Sequence, residues 1–314
     1  MRCPADCGNG ARGAALVTVL MIVALASVTV ADIVAQQHTD IRLTRSREAL
    51  GQARYVTQGA ERWAAAVLYQ DRKDSDIDSL DEDWATVLPP VPIAGGQVSG
   101  LIEDMQARIN LNNLLTSEGK VSAVDVERLQ RLLNILELDP NLVLAIQDWV
   151  DADLQPSDPF GAEDDYYSNL ERPYRAANRL FTSITELRLV RGIDDEVYRV
   201  LAPHVSALPE RAGVNVNTAS NTVLRSLGDH IGEILAEQFI GQREEEPFDN
   251  VQAFTKHALH GGEEIDQASL SVNSVFFRTR SDVELGPVSL QVSSWMQRSG
   301  NGVIRVYQRM RGTD

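Results

Sequence analysis

At 314 residues, 43% of them hydrophobic, the chain is long enough for about two domains with packed cores. Its 45 acidic residues against 29 basic ones leave a formal net charge of −16. Such a balance excludes a nucleic-acid backbone as the natural partner, because that affinity rests on Lys and Arg neutralising phosphates.

The first 13 residues form a short basic leader ending in Arg12-Gly13, and an uncharged apolar run, Ala14–Ala31, follows at once. Three readings of the run compete. Its 18 residues approach the ~20 that a transmembrane helix needs. A secretory signal peptide carries an apolar core of ~7–15 residues and then a small-residue cleavage site, which Thr29-Val30-Ala31 matches poorly. A prepilin leader is cut on the cytoplasmic side just after a glycine, here between Gly13 and Ala14. That cut leaves Ala14, Leu16, Thr18, Leu20, Ile22 and Leu25 in a helix that is first a membrane anchor and later a bundle contact. Arg2 and Arg12 lie on the side expected to stay cytoplasmic, although Arg42, Arg45 and Arg47 soon after the run weaken the asymmetry. The two cysteines, Cys3 and Cys7, are both in the leader, so a chain cut after Gly13 must be stable without disulfides.

Beyond Ala31 no proline interrupts the chain before the acidic stretch that follows Gln70. Apolar residues recur at helical spacing through Ile41, Ala49, Ala53, Val56, Ala60, Trp63, Ala64, Val67 and Leu68. Gly51 and Gly59 each cost ~1 kcal/mol against alanine, which a helix tolerates. One helix over about 14–72 is the simplest reading, with 14–31 in the membrane. An anchor followed by a separate helix is the alternative. The acidic run Asp74–Asp83, ahead of a proline-rich stretch, reads as a solvated connection. Residues near 97–111 partly alternate and suggest a strand pair.

From about 112 to 267 the pattern is mostly helical. Ser122, with Asp125 three residues on, predicts a capped start for SAVDVERLQRLLNILEL. TSITELRLVRG, IDDEVYRVLAPHV, NTASNTVLRSL, HIGEILAEQFIGQRE and NVQAFTKHAL predict further short helices. From 268 the period becomes two, and a SGNG turn separates the last strands, which predicts a three-stranded antiparallel meander. The fold class is therefore α+β: a long N-terminal helix, a small sheet built from 73–111 and 268–314, and an all-α domain, 112–267, inserted between them.

The densest polar constellation is DWVDADLQPSDPFGAEDDYY, with seven carboxylates between Asp148 and Asp165. These repel one another unless cations or solvent intervene. Calcium takes six to eight oxygen ligands and suits flexible loops of this kind. Asp151, Asp153 and the Gln155 carbonyl fall at loop positions one, three and five, but Glu163 lies one place too far for an EF-hand, and Pro156 stands where that motif needs glycine. A solvated acidic loop and a different calcium loop are both compatible. The interleaved Trp149, Phe160, Tyr166 and Tyr167 favour the ordered, metal-clamped form.

Other chemistries find little support. The stretch GVNVNTASNTVLRSL…IGEILAEQFIGQRE…PFDNVQAF resembles a helix-hairpin-helix module, yet the module's only lysine is Lys256, and Glu244, Glu245 and Glu246 stand together. The fold resemblance holds while the DNA-binding residues are missing. No G-x-S-x-G elbow and no glycine-rich phosphate loop occurs. His257 and His260 are i, i+3, but two histidines alone do not make a metal site.

Taken together, the leader, the long helix, VNVNTAS, the stretch DWVDADLQP…GAEDDYYSNLERPYRAANRLFTSITELR and the terminal strands resemble the K-type minor pseudopilin of type II secretion systems. That resemblance implies a non-enzymatic assembly protein at the tip of the periplasmic pseudopilus, held by one span in the bacterial inner membrane and cut and methylated by prepilin peptidase. It implies I-type and J-type minor pseudopilins as partners, then the H-type and the major pseudopilin, and no nucleic acid. It also implies two calcium ions in the inserted domain, with ligands carried over to Asp151, Asp153, Glu163, Asp164 and Asp165. Thr18 is a departure from most pilin-like subunits, which carry glutamate at that place to neutralise a neighbour's N-terminal amine. A membrane-anchored helix-hairpin-helix DNA-uptake protein and a secreted enzyme with a signal peptide are the competing readings.

Overall fold

The computed structural model describes residues 10–258 and 265–312, with side chains from Ala15 onward. Residues 1–9, with Cys3 and Cys7, and His260 lie outside the described residues, as do the side chains of Ala14 and His257. At the expected cleavage point, Gly13–Ala14, the backbone is helical.

Helix α1 (Gly10–Asp74) runs unbroken for 65 residues, roughly 98 Å at 1.5 Å per residue. The single long helix is thus the form adopted, without a break between anchor and soluble part. A Cβ at Gly51 or Gly59 would meet nothing within 4 Å, so neither glycine marks a close contact. Residues 15–48 are exposed on every face. Packing starts only at Ala53, and the buried stripe is Ala53, Thr57, Ala64 and Leu68, whereas Ile41 and Trp63 both stay 47% exposed. The expected stripe is therefore narrower than its apolar residues suggested, and only its C-terminal part meets the sheet.

That sheet has five antiparallel strands in the order β1-β2-β7-β8-β9. β1 (Leu88–Ile93) and β2 (Gly96–Asp104) form a hairpin. The strand pair anticipated near 97–111 is corrected here: β2 takes only its first part, and its hairpin partner is the proline-rich LPPVPI upstream of it. Proline cannot donate to a ladder and so is confined to edges; β1 is the edge strand, and its register shifts between Leu88 and Val91, where Pro89 and Pro90 lie. Gly96 is required at this turn, since a Cβ there would stand 1.7 Å from the Glu284 carbonyl oxygen. The C-terminal meander forms as expected: β7 (Phe276–Leu285), β8 (Val288–Arg298) and β9 (Ile304–Arg311). Ala64 and Leu68 of α1 pack with Trp84, Ile102, Phe277 and Met296, and Ala53 packs with Val283 and Leu285. Each such large apolar side chain contributes about 1.5–3 kcal/mol on burial.

Between β2 and β7 the chain builds the helical insert. Its elements are β3 (Ile109–Asn110), α2 (Ala123–Ile135), α3 (Leu142–Val150), α4 (Asp164–Tyr167), α5 (Asp195–Leu201), β4 (Val205–Ser206), β5 (Val214–Asn215), α6 (Asn221–Arg225), α7 (Glu233–Glu245), α8 (Val251–Ala258) and β6 (Leu270–Ser271). One contiguous core runs through it, from Ile109 and Leu111 through Leu132, Ile146 and Trp149 to Phe254 and Leu270. Two short parallel pairs, β3 with β4 and β5 with β6, close the insert on itself. The expected Ser122 cap is replaced: the Ser122 hydroxyl turns to Asp125 Oδ2 at 2.6 Å instead of to a backbone N–H. Asp125 is drawn inward by Arg128 at 3.1 Å and Arg211 at 2.9 Å.

Insert and sheet are joined by a buried polar hub. Asp104 Oδ2 accepts from Thr218 Oγ1 at 2.5 Å, Ser274 Oγ at 2.6 Å and Asn215 Nδ2 at 3.1 Å. Burial pushes the Asp104 carboxyl up to about 6 despite these donors. Beside it stands Asp78, fully buried, whose Oδ2 accepts from the Ser274 N–H at 2.7 Å and from Arg298. The solvated connection expected over Asp74–Asp83 is thereby overturned in its middle. Asp78 and Ser79 are inside, because Arg298, more than 200 positions away in the chain, delivers a buried guanidinium to receive the carboxylate. Burial, then the charges of Glu82 and Asp78, push the nearby Asp71 carboxyl up to about 7.

Candidate metal centre

Helix α3 is apolar almost throughout, LVLAIQDWV, and sinks into the insert core. Its length carries Asp148 inside with it, and Asp151, at its C-cap, sits at the mouth of the loop that follows, where its N–H returns to the Gln147 carbonyl at 3.0 Å. The loop passes close behind: a Cβ at Gly161 would lie 2.2 Å from Asp148 Oδ2 and 2.3 Å from the Ser157 nitrogen. Glycine alone lets the chain return at this distance and brings Glu163 back over Asp151.

Carboxylate oxygens of Asp151, Asp153 and Glu163 come within 4.8 Å of one another. Asp151 and Glu163 are buried, Asp153 exposed. No donor reaches Asp151 Oδ1, Glu163 Oε1, Glu163 Oε2 or Asp148 Oδ1, all of them buried. Buried acceptors left without a partner cost about 1–3 kcal/mol each, and more when charged. Burial first, then the charges of neighbouring acids, push Glu163 up to about 7 and Asp151 up to about 6. Asp148 is raised chiefly by burial, against hydrogen bonds from Ser157 that favour its ionised form. Three or four carboxylates gathered with unsatisfied oxygens and no guanidinium among them form an oxygen-donor set suited to a hard divalent cation.

Of the remaining expected ligands, Asp164 and Asp165 are placed differently. Asp164 opens α4, where its Oδ1 accepts from the Ala176 N–H at 3.0 Å and its Oδ2 faces Arg175 at 3.8 Å. It ties the following loop and stands outside the three-carboxylate group, and so does the exposed Asp165 on the same turn. Gln155, expected to contribute its carbonyl, is exposed, and its N–H closes a turn onto Asp153 Oδ1 at 2.8 Å, beside the group. Two further acceptors were not anticipated as ligands. One is Asp148. The other is Asn178, whose backbone has φ 44°, whose Nδ2 donates to the Asp153 carbonyl at 3.3 Å and whose Oδ1 is buried without a donor. No local sequence signal marked it, because its left-handed backbone at the end of PYRAAN is set by the loop around it.

Aromatic rings wall the loop. Trp149 meets Tyr167 edge-on at 5.3 Å, and Tyr167 stacks on Tyr174 at 5.2 Å. Arg191 lies over Phe160 at 4.5 Å and Tyr166 at 4.8 Å, and donates to the Gly161 carbonyl at 3.0 Å.

At the other end of the molecule, Leu16, Leu20, Ile22 and Leu25 are 58–64% exposed, and Thr18 Oγ1 donates to its own helix at the Ala15 carbonyl, 2.9 Å away. By length and composition this is a helix able to cross a membrane, with none of its apolar window buried in the protein.

Residues 107–210 and 214–273 match the family described as Type II secretion system (T2SS), protein K. The protein of that name from Pseudomonas aeruginosa is 38% identical, over 97% of this chain and 94% of its own length. The chain belongs to the type II secretion system protein K family. The protein K of Aeromonas hydrophila is 30% identical over 96% of this chain and 97% of its own. Among solved structures, a chain of the GspK-GspI-GspJ complex from enterotoxigenic Escherichia coli superposes with a TM-score of 0.75 at 27% identity, covering 86% of this chain and 99% of that one. Protein K membership makes the chain a component of a secretion apparatus and displaces the DNA-uptake and secreted-enzyme readings. Over the 86% of this chain that superposes, its mixed α and β fold is shared with that chain.

Proposed function

We propose that this chain is the tip subunit of the pseudopilus, cut after Gly13, methylated on Ala14, and anchored through Ala14–Ala31 in the inner membrane with its bulk in the periplasm. One observation carries the reading: residues 15–31 form an uncharged, largely apolar stretch of helix with every face exposed. Lipid covers such a face before assembly, and the helices of other subunits cover it afterwards. The I-type and J-type subunits are the proposed neighbours, supported by the complex in which the structural relative was solved; the H-type and major pseudopilins would follow below.

Thr18 supports the tip position. A buried amine without a counter-ion is costly, and this side chain spends its hydroxyl on its own helix. It offers no carboxylate to a subunit stacked above. The insert, carried at the far end of the sheet from the membrane span, would also obstruct growth beyond it.

Calcium belongs to the same proposal. Asp151, Asp153 and Glu163 would hold it, with Asp148 and Asn178 the nearest further oxygen donors, and the family resemblance implies two ions. The bound ion supplies positive charge to a cluster that otherwise has none. The chain's own residues align the loop, through Gly161, Ser157 and the Arg191–Phe160 contact.

Mass spectrometry of the N-terminus tests the anchor: a methylated Ala14 is the expected start, and a start near Asp32 overturns it. Thr18→Glu in a strain lacking the native copy is expected to impair export or displace the subunit from the tip. Unchanged export and tip position would count against the role given to Thr18.

A further inference from the structure

A second group of carboxylates lies outside the insert, where α1 leaves the sheet. Asp71 stands in the last turn of α1, and Asp78 and Glu82 follow in the connection. Oxygens of all three lie within 4.8 Å of one another. Arg298, at the end of β8, places Nη1 2.8 Å from Asp71 Oδ2 and Nη2 against Asp78 Oδ2. Glu82 Oε2 accepts from the Ser79 N–H at 2.9 Å and from Trp84 Nε1 at 2.8 Å.

One guanidinium therefore serves two of the three carboxylates, and each of the three keeps one oxygen that takes no hydrogen bond among the described residues. The decisive one is Asp78 Oδ1. Asp78 is 0% exposed, and that oxygen is buried with no donor in reach. A groove of about 670 Å³ opens beside the group, with Asp71, Glu82, Asp83 and Trp63 in its walls. It leads from solvent to the two outer carboxylates.

We infer that this joint binds one divalent cation of the calcium class, held by Asp71, Asp78 and Glu82 on the oxygens that Arg298, Ser79 and Trp84 leave free. All donors are oxygens, the preference of hard cations. One oxygen of each carboxylate lies within 4.8 Å of the other two, so small side-chain rotations bring the three groups around an ion whose ligand distance is about 2.4 Å, and calcium completes an irregular shell with water, which the groove provides. The charge count agrees: three carboxylates and one guanidinium leave two negative charges, which one divalent ion offsets. Arg298 and the ion do not compete for atoms, because the guanidinium engages the Oδ2 oxygens. The ion clamps the end of α1 to the connection and, through the Asp78 carbonyl that accepts from Asn215 Nδ2 at 3.0 Å, to the insert. This site does not depend on the loop at Asp151–Glu163.

The test uses the full chain in detergent, stripped of metal, with calcium counted by equilibrium dialysis. Terbium emission excited through tryptophan serves as a second readout, because Trp84 is bonded to one ligand. Asp71→Asn and Glu82→Gln each spare the buried Arg298–Asp78 pair. Each is expected to bind one ion fewer than the unaltered chain and to lose the terbium signal that Trp84 sensitises. The loop variant Asp151→Asn/Glu163→Gln is expected to retain one ion. Equal ion counts in the unaltered chain, Asp71→Asn and Glu82→Gln overturn the inference. So does a loop variant that is folded by circular dichroism and binds no ion.

Discussion

The connection Asp74–Asp83 carries six acids and the loop Asp148–Asp165 carries seven, yet the two are handled in different ways. In the connection, Asp78 is pulled fully inside by a guanidinium from β8, and the hub around Asp104 supplies neutral donors beside it. In the loop, Asp148, Asp151 and Glu163 are buried with oxygens that no donor reaches, and Arg191 spends its charge on aromatic faces and the Gly161 carbonyl. An acidic run is thus not one kind of object. What it becomes depends on whether a cationic side chain can be delivered to it, and from how far along the chain.

The largest effect should come from breaking the arginine solution. In the metal-free chain Arg298→Ala leaves Asp78 buried with its charge unmatched, and removing one partner of a buried pair costs about 3–5 kcal/mol. Thermal or urea unfolding should show a loss of that order, and a loss under ~1 kcal/mol would mean the pair is not what holds the connection inside. Next in size is the loop. Calcium at a hundredfold excess over its Kd should add about 2.7 kcal/mol, so chelation should lower the Tm of the unaltered chain more than that of Asp151→Asn/Glu163→Gln. Equal Tm shifts in the two would remove calcium from the loop.

The third prediction concerns pH. Glu163 and Asp151 titrate near 7 and 6 when folded, above the ordinary values of 4.5 and 3.8 that an unfolded chain shows. The folded state then binds more protons, so the chelated chain should gain stability as pH falls from about 8 towards 5. With calcium bound the sign reverses, because protons compete with the ion. Unfolding curves across that range, with and without chelator, check the crossover. Smallest of the four is Asp164→Asn, which weakens the bond to the Ala176 N–H and should cost about 1 kcal/mol while leaving the number of bound ions unchanged. A lost ion would return Asp164 to the ligand set.

Much of the site was legible from local pattern. Acids at Asp151, Asp153 and Glu163, with aromatics around them, favoured an ordered loop over a solvated one, and the three meet in space. Asp164 looked equivalent in the sequence and is not, because α4 turns it towards Ala176. Asn178 was invisible as an oxygen donor, since its part depends on a left-handed backbone set by the loop around it. The pairing of LPPVPI with β2 was hidden for a different reason: proline argues against a strand unless that strand is known to be an edge, and edges exist only once the sheet is assembled.

Periodicity and local chemistry were enough to establish the apolar run, the C-terminal meander and the mostly helical character of the insert, and to make one long helix the simplest of two readings, because each is decided by residues within a few turns of one another. Which acids are buried, and what neutralises them, came from the tertiary structure alone. Arg298 meets Asp71 and Asp78, and Asn215 meets Asp104, across separations of more than a hundred residues. The strength of a charge–charge contact depends on distance and burial in space, quantities that a linear order of residues does not contain.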